Sequence, residues 1–175
     1  MFMKLIRDRR SIRKFTDKPV EKEKIHLLIE ACLRSPSSRS LNPWEFIVIT
    51  DKKTLNELSC SKPHGASFLK NAPLGIAVIA DPEKCDVWIE DSSIASTYIQ
   101  LAAESIGLKS CWIQIRERFY KDETTATSRA ASILNVPENF QVESIIAIGY
   151  PDEVKKGHKK ESLLYNKIHF ETFNQ

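Results

Sequence analysis

Little in this sequence advertises catalysis, and what is missing excludes most common chemistries. Glycine is scarce, 5 of 175 residues. No G-x-G-x-x-G or G-x-x-x-x-G-K-[ST] run is present to wrap backbone amides around a phosphate. There is no G-x-S-x-G elbow and no H-E-x-x-H pair, so the familiar serine-hydrolase and zinc-protease sites cannot form. His26, His64, His158 and His169 stand far apart, which argues against a histidine-built metal site. Cys32, Cys60, Cys85 and Cys111 include no C-x-x-C pair. Such scattered thiols read as buried or incidental cysteines of a reducing compartment, and a cytoplasmic location is expected.

Long hydrophobic runs are missing too. No stretch approaches the roughly 18 apolar residues of a membrane span, and the opening Met1-Phe2-Met3-Lys4-Leu5-Ile6-Arg7 meets charge before it could serve as a signal peptide. The net charge is only +3, and its basic residues are dispersed apart from Arg7-Asp8-Arg9-Arg10 and the stretch 155–160. Neither nucleic acid nor membrane is therefore expected as a partner. Hydrophobic and charged residues at 42% and 28% are globular values, and a single domain over residues 1–175 is expected.

What is present is a regular succession of elements. Ile25, Leu28, Ile29, Cys32 and Leu33 recur at helical spacing between Glu21 and Arg34, and Ser35-Pro36 stops that helix because proline disfavours helical geometry at the preceding residue. Trp44 to Thr50 is aromatic and β-branched like a strand, and Asp51 can cap a short helix carrying Leu55 and Leu58. Leu74 to Ala80 reads as a buried strand. Asp91 to Gly107 reads as a helix whose uncharged, small-residue run Ser92 to Ala103 suits either a domain core or a subunit interface. Ser110 to Arg116 alternates as a strand with two unlike faces, Thr124 to Leu134 as a helix, and Val142 to Gly149 as an apolar strand. With a first helix before the basic opening, the order is helix, helix, strand, helix, strand, long helix, strand, helix, strand. Four strands among helices imply an α+β or three-layer sandwich. The aromatic tail ending His169-Phe170-Glu171-Thr172-Phe173 has no obvious place in its own domain, and a partner subunit could receive it.

Four segments carry polar groups suited to an anionic, aromatic cofactor. Arg9-Arg10-Ser11-Ile12-Arg13-Lys14-Phe15 offers guanidinium groups and a hydroxyl for charge-assisted hydrogen bonds, although a solvated basic turn reads equally well. Ser35-Pro36-Ser37-Ser38-Arg39-Ser40-Leu41-Asn42-Pro43-Trp44 is a dense polar loop leading into a strand, or an ordinary connection. Gly107-Leu108-Lys109-Ser110-Cys111-Trp112-Ile113-Gln114-Ile115 could equally be a plain core strand. Gly149-Tyr150-Pro151 with Lys155, Lys156, His158, Lys159 and Lys160 could be a solvated charge run.

Taken together and in this order, the four segments resemble the nitroreductase family of FMN-dependent oxidoreductases over nearly the whole chain. Arg9 to Phe15 is similar to the family's R-R-S-x-R-x-F start and Ser35 to Trp44 to its A-P-S-x-x-N-x-Q-P-W loop. Gly107 to Gln114 is similar to its G-L-G-x-x-W-I strand, and Ile148 to Pro151 to its terminal G-Y-P. The resemblance implies an α+β three-layer sandwich with a central, mainly antiparallel sheet flanked by helices, in an intertwined homodimer. Non-covalent FMN would lie between the chains. Arg9, Arg10, Ser11 and Arg13 would contact its phosphate, ribityl and pyrimidine parts, and Ser37, Ser38, Arg39, Ser40 and Asn42 would reach it from the other subunit. Ile113 and Gln114 would lie by the ring, and His158, Lys159 and Lys160 would complete the phosphate site. Three positions depart from the pattern: Ser40 stands where Asn is frequent, Asn42 where Gln is frequent, and Lys109 where Gly is usual.

In such an enzyme no side chain needs to be a nucleophile or general base. FMN takes hydride from NAD(P)H and passes it to a small acceptor such as a nitroaromatic or quinone by ping-pong kinetics, while the protein orients and polarises. Arg13 is the residue that would support negative charge on the reduced flavin, since a guanidinium stays charged at any working pH. Other flavin chemistry, such as enoate reduction or dehalogenation, is an alternative, and a non-catalytic flavin-binding module is another. The chain shows no inserted lid segment, which favours an open reductase. Ser40→Asn is expected to tighten FMN binding by about 0.5–1.5 kcal/mol, one hydrogen bond's net worth, or roughly two- to twelvefold in Kd. A fluorescence titration showing unchanged or weaker binding would mean that Ser40 is already complemented by its neighbours.

Overall fold

The computed structural model describes residues 2–173. Its helices are α1 (Phe2–Asp8), α2 (Lys22–Leu33), α3 (Lys52–Ser59), α4 (Trp88–Ser105) and α5 (Ala126–Leu134). The strands are β1 (Trp44–Ile49), β2 (Leu74–Ala80), β3 (Lys109–Gln114), β4 (Phe119–Lys121), β5 (Thr124–Thr125) and β6 (Gln141–Gly149). Four strands form a sheet in the order β1-β2-β6-β3, each neighbouring pair antiparallel. Among the described residues no helix is long and apolar enough to cross a membrane.

Every residue of β2 is buried, so both of its faces need cover. Leu74, Ile76 and Val78 pack with Leu28 and Cys32 of α2 and Ile99 and Ala103 of α4. Ala77 and Ile79 pack with Leu55 and Leu58 of α3 and Ala126 and Ala130 of α5. β6 divides the same way, Ile146 and Ile148 to the first layer and Ile145 and Ala147 to the second. The alternating register of a strand, which sends successive side chains to opposite faces, therefore builds two apolar cores on one sheet.

Helix ends follow local chemistry. The Asp51 side chain accepts from Thr54 N at 2.8 Å and caps α3, and Thr125 accepts from Ser128 N at 3.0 Å and caps α5. α4 closes on Gly107 at φ +77, with Gly107 N–H donating to Glu104 O and Leu108 N–H to Ala103 O. This pair of bonds satisfies the last carbonyls, and it needs a left-handed residue that glycine adopts without strain. Asn135, at φ 53, ends α5 in the same region of backbone space.

The structure departs from the sequence expectation at 119–125. The β4–β5 hairpin turns at Asp122, with φ 47, and Thr125 caps α5 instead of lying inside it. Strands of three and two residues are too short to show a two-residue period. α4 also begins three residues before Asp91, and a 3-10 turn over Ser67–Asn71 adds to the α3 layer.

One carboxylate sits inside this apolar frame. Val78 pairs with Ser144 and Ile79 with Val142, leaving Glu143 as the extra residue of a bulge. Glu143 is 2% exposed and its Oε2 has no hydrogen-bond partner. Burial pushes its carboxyl above the usual range, opposed by the Ser144 hydroxyl and the charge of Arg116. Because the folded-state value is the raised one, ionisation penalises the folded state. The stability present below the ordinary glutamate value of about 4.3 is lost as pH rises through the folded value. Glu143→Gln should leave thermal stability near wild type in acid and make it less sensitive to alkali. Parallel melting curves across pH, with variant and wild type declining together, would contradict this.

Candidate functional site

The basic opening segment is fastened to the sheet edge by its backbone. Ile12 and Phe15 are buried in the α3/α5 core. Ile12 N–H donates to Ser110 O at 3.1 Å and Thr16 N–H to Tyr150 O at 2.9 Å, while Asp152 N–H donates to Lys14 O at 2.9 Å. Glu153 Oε1 accepts from the N–H groups of Arg13 at 2.6 Å and Lys14 at 3.2 Å, and pairs with Lys155 Nζ at 3.1 Å. These contacts, led by the Arg13 N–H, hold the Glu153 carboxyl below the usual range. Lys155 Nζ also donates to Ser11 O at 3.0 Å. One carboxylate and one ammonium thus fix residues 11–14.

The same segment runs past a buried thiol, Cys111. Burial raises the Cys111 thiol pKa, and Arg13, the Ser11 hydroxyl, Lys155 and Arg9 all pull it back down. Ser11 is bridged to Ser110, the neighbour of Cys111 on strand β3, so the segment runs alongside that part of the strand. Arg9 and Arg13 form no ion pair among the described residues, and Arg13 Cζ lies 5.7 Å from the centroid of the Phe68 ring. Arg9 and Ser11 line a cavity of about 480 Å³ with Ile6, Thr97, Gln100 and Leu101. Arg10 lines a different cavity with Lys109, Lys155 and Lys156, and its guanidinium donates to the Lys156 carbonyl. Lys109 itself is paired with Glu104.

β3 carries Ile113, which is buried, and Gln114, whose side chain is held along the strand. Trp112 Nε1 donates to Gln114 Oε1 at 2.9 Å, and Gln114 Nε2 donates to Arg116 O at 2.9 Å. The Gln114 carbonyl accepts from Lys62 Nζ at 2.7 Å. Lys62 is a cation at this strand that the sequence did not single out. It is half-buried, and burial followed by the charge of Arg118 lowers its ammonium pKa. Its only signal was a lone cation in the Pro/Gly-containing run Ser61-Lys62-Pro63-His64-Gly65.

The tail basic residues meet α1. A Cβ on Gly157 would lie 2.0 Å from the Arg7 carbonyl oxygen, so only glycine permits this approach. His158 and Lys160 line a cavity of about 860 Å³ with Met3, Ile6 and Arg7. Ile6 also borders the Arg9 cavity, which brings the two basic regions side by side. Lys159 is exposed and precedes the 3-10 turn Lys160–Ser162.

The polar loop holds itself together first. Ser37 Oγ donates to Asn42 Oδ1 at 2.6 Å and accepts from Asn42 N at 3.0 Å. Arg39 pairs with Asp86, and Lys84 Nζ donates to Asn42 O at 3.0 Å. The Ser38 and Ser40 hydroxyls have no hydrogen bond among the described residues. Arg39, Ser40 and Asn42 all have positive φ, at 52, 53 and 47. Such backbone costs about 1 kcal/mol or more for each residue with a side chain, least for Asn. No hydrogen bond or ion pair joins this loop to the Arg9–Arg13 segment among the described residues.

Residues 6–61 and 59–150 match the Nitroreductase family. An FMN-dependent nitroreductase from Clostridium difficile has a solved structure 51% identical in sequence, with TM-score 0.96 over 98% of this chain and 99% of that one. A protein provisionally named NADH dehydrogenase/NAD(P)H nitroreductase, from Archaeoglobus fulgidus, is 35% identical over 87% of each chain. The NADPH-flavin oxidoreductase of Vibrio harveyi is 30% identical over 82% of this chain and 63% of its own. The α+β sheet between helical layers, the four motifs in their places and these likenesses agree: the chain belongs to the nitroreductase family.

Proposed function

We propose that this chain is an NAD(P)H-dependent flavin oxidoreductase that binds FMN non-covalently and delivers reducing equivalents to a small acceptor of the nitroaromatic or quinone type. The observation that carries the reading is that Arg9 and Arg13, on a segment whose backbone is bonded to β3 and to the chain after β6, form no ion pair among the described residues, while Arg9 and Ser11 line one cavity. Arg9 and Arg13, held by their backbone with no carboxylate partner among the described residues, favour an anionic ligand. Their spread along an extended segment suits a molecule with phosphate at one end and an electron-rich ring at the other. Bound FMN supplies the hydride acceptor and donor that no side chain here provides.

In this reading Arg9 and Ser11, with His158, Lys159 and Lys160 from the adjoining tail, hold the phosphate end. Arg10 serves from the neighbouring cavity through the backbone it secures. Arg13 and Lys62 place positive charge where negative charge accumulates during reduction, and Glu153 keeps Arg13 in position. Ile113 and the Gln114 backbone form the floor beside the ring. Donor and acceptor use the same open face in turn, which gives ping-pong kinetics. Ser37, Ser38, Arg39, Ser40 and Asn42 serve the FMN of a second copy. The tail supports that homodimer: Leu164, Phe170 and Phe173 are 62%, 78% and 79% exposed within one chain, an apolar surface that a partner would cover.

The purified protein should be yellow, with flavin and chain in equal molar amounts, and should bleach on addition of NADH or NADPH and recover with a quinone. Arg9→Ala combined with Arg13→Ala removes two charge-assisted contacts and should weaken FMN binding more than ~100-fold. Full flavin occupancy in that double variant would sink the assignment. Deleting the chain from Lys167 onward should loosen both the dimer and its flavin. Sedimentation of the full chain as a stable, FMN-loaded monomer is the result that would refute a shared site.

A further inference from the structure

The strained loop needs an external restraint, and α4 supplies it. Asp91 lies in the first turn of α4 and is 3% exposed. Its Oδ1 accepts the Ser38 N–H at 2.9 Å, across 53 residues of sequence, and its Oδ2 accepts the Cys85 S–H at 3.5 Å. Asp91 takes part in no ion pair among the described residues. Burying a carboxylate unpaired is unfavourable, so its presence calls for a reason. A favourable charge at a helix N-terminus explains an acidic residue there. It does not explain why one oxygen leaves the helix to grip a distant loop.

We propose that Asp91 is the positioning residue of the FMN loop. Its carboxylate fixes Ser38 at the start of the left-handed run, so that the unpartnered Ser38 and Ser40 hydroxyls are presented outward to FMN. The segment leading into α4 reinforces this hold through Lys84 on the Asn42 carbonyl and Asp86 on Arg39. Because α4 packs on β2, β3 and β6, the loop is referenced to the sheet despite its own strain. The inference rests on the reading that this loop meets FMN.

The test compares Asp91→Leu with Asp91→Asn, which keeps an acceptor for the Ser38 N–H. Two quantities are read: FMN Kd by fluorescence titration, and the rate of trypsin cleavage after Arg39 in the full chain, with and without FMN. Asp91→Leu should raise both by at least ~10-fold, the loss of one hydrogen bond to a charged group, while cleavage after Arg129 on α5 stays unchanged. Asp91→Asn should remain within about threefold of wild type on both. Should Asp91→Leu fail to fold, Ser38→Pro removes the N–H that Asp91 accepts together with the Ser38 hydroxyl, so it is read against Ser38→Ala, which removes the hydroxyl alone. Ser37 already has the extended backbone that a following proline requires, and the same tenfold effect is expected. Wild-type values in Asp91→Leu, or, where that variant does not fold, values in Ser38→Pro equal to those of Ser38→Ala, overturn the proposal. If Ser38→Ala/Ser40→Ala weakens FMN while Asp91→Leu does not, the role of Asp91 alone fails. If that double variant leaves FMN binding untouched, the FMN reading of the loop fails and the proposal with it.

Discussion

The antiparallel pairing of β2 with β6 is the constraint on which the rest of the molecule depends. Both strands are covered on both faces, so each alternate residue is committed to one of two helical layers. A one-residue slip would exchange the two cores, sending alanines where leucine and isoleucine now fill space. The bulge at Glu143 is the one irregularity in this pairing. It places a carboxylate where apolar side chains prevail, which is why that group resists ionisation.

The sheet also delivers the site. The edge strand β3 bonds Ile12 through Ser110, the chain just after β6 bonds residues 14 and 16, and Ile12 and Phe15 anchor this segment in the α3/α5 core. Along this segment Ile12 and Phe15 are buried, Arg9 and Ser11 are half-buried and Arg13 is exposed. Arg9, Ser11 and Arg13 therefore keep their polar groups available while the main chain is rigid. Glu153 adds to this by spending its charge on main-chain N–H groups and on Lys155. The neutralising carboxylate holds the scaffold, and Arg9 and Arg13 have no counter-ion among the described residues.

The polar loop follows a different economy. Its hydrogen bonds are mostly internal or directed to the start of α4, and its backbone occupies left-handed geometry at Arg39, Ser40 and Asn42. Asn tolerates that region best because its short side chain can bond locally, as Asn42 does with Ser37. The long helix α4 thus has two duties. Its buried face completes one core, and its first turn sets the position of a loop more than fifty residues earlier in the chain.

The order of helices and strands was legible from sequence because it rests on local physics. Apolar periodicity marked α2 and alternation marked β3, composition marked α4, β1, β2 and β6, and Asp51, Pro36 and Gly107 marked element ends. The basic opening and the polar loop were legible as composition, and their family resemblance as motif order. Chirality and chemistry at single positions likewise reside in the sequence. What only the tertiary structure decided is which groups remain free. Arg39 and Arg10 look like Arg9 and Arg13 in sequence, yet the first is paired with Asp86 and the second is turned to the Lys156 carbonyl. Lys62 and Asp91 gave almost no signal, because their partners lie about fifty residues away. Hydrogen bonds and screened charges act over a few ångströms, so they depend on proximity that folding creates and that sequence spacing does not record.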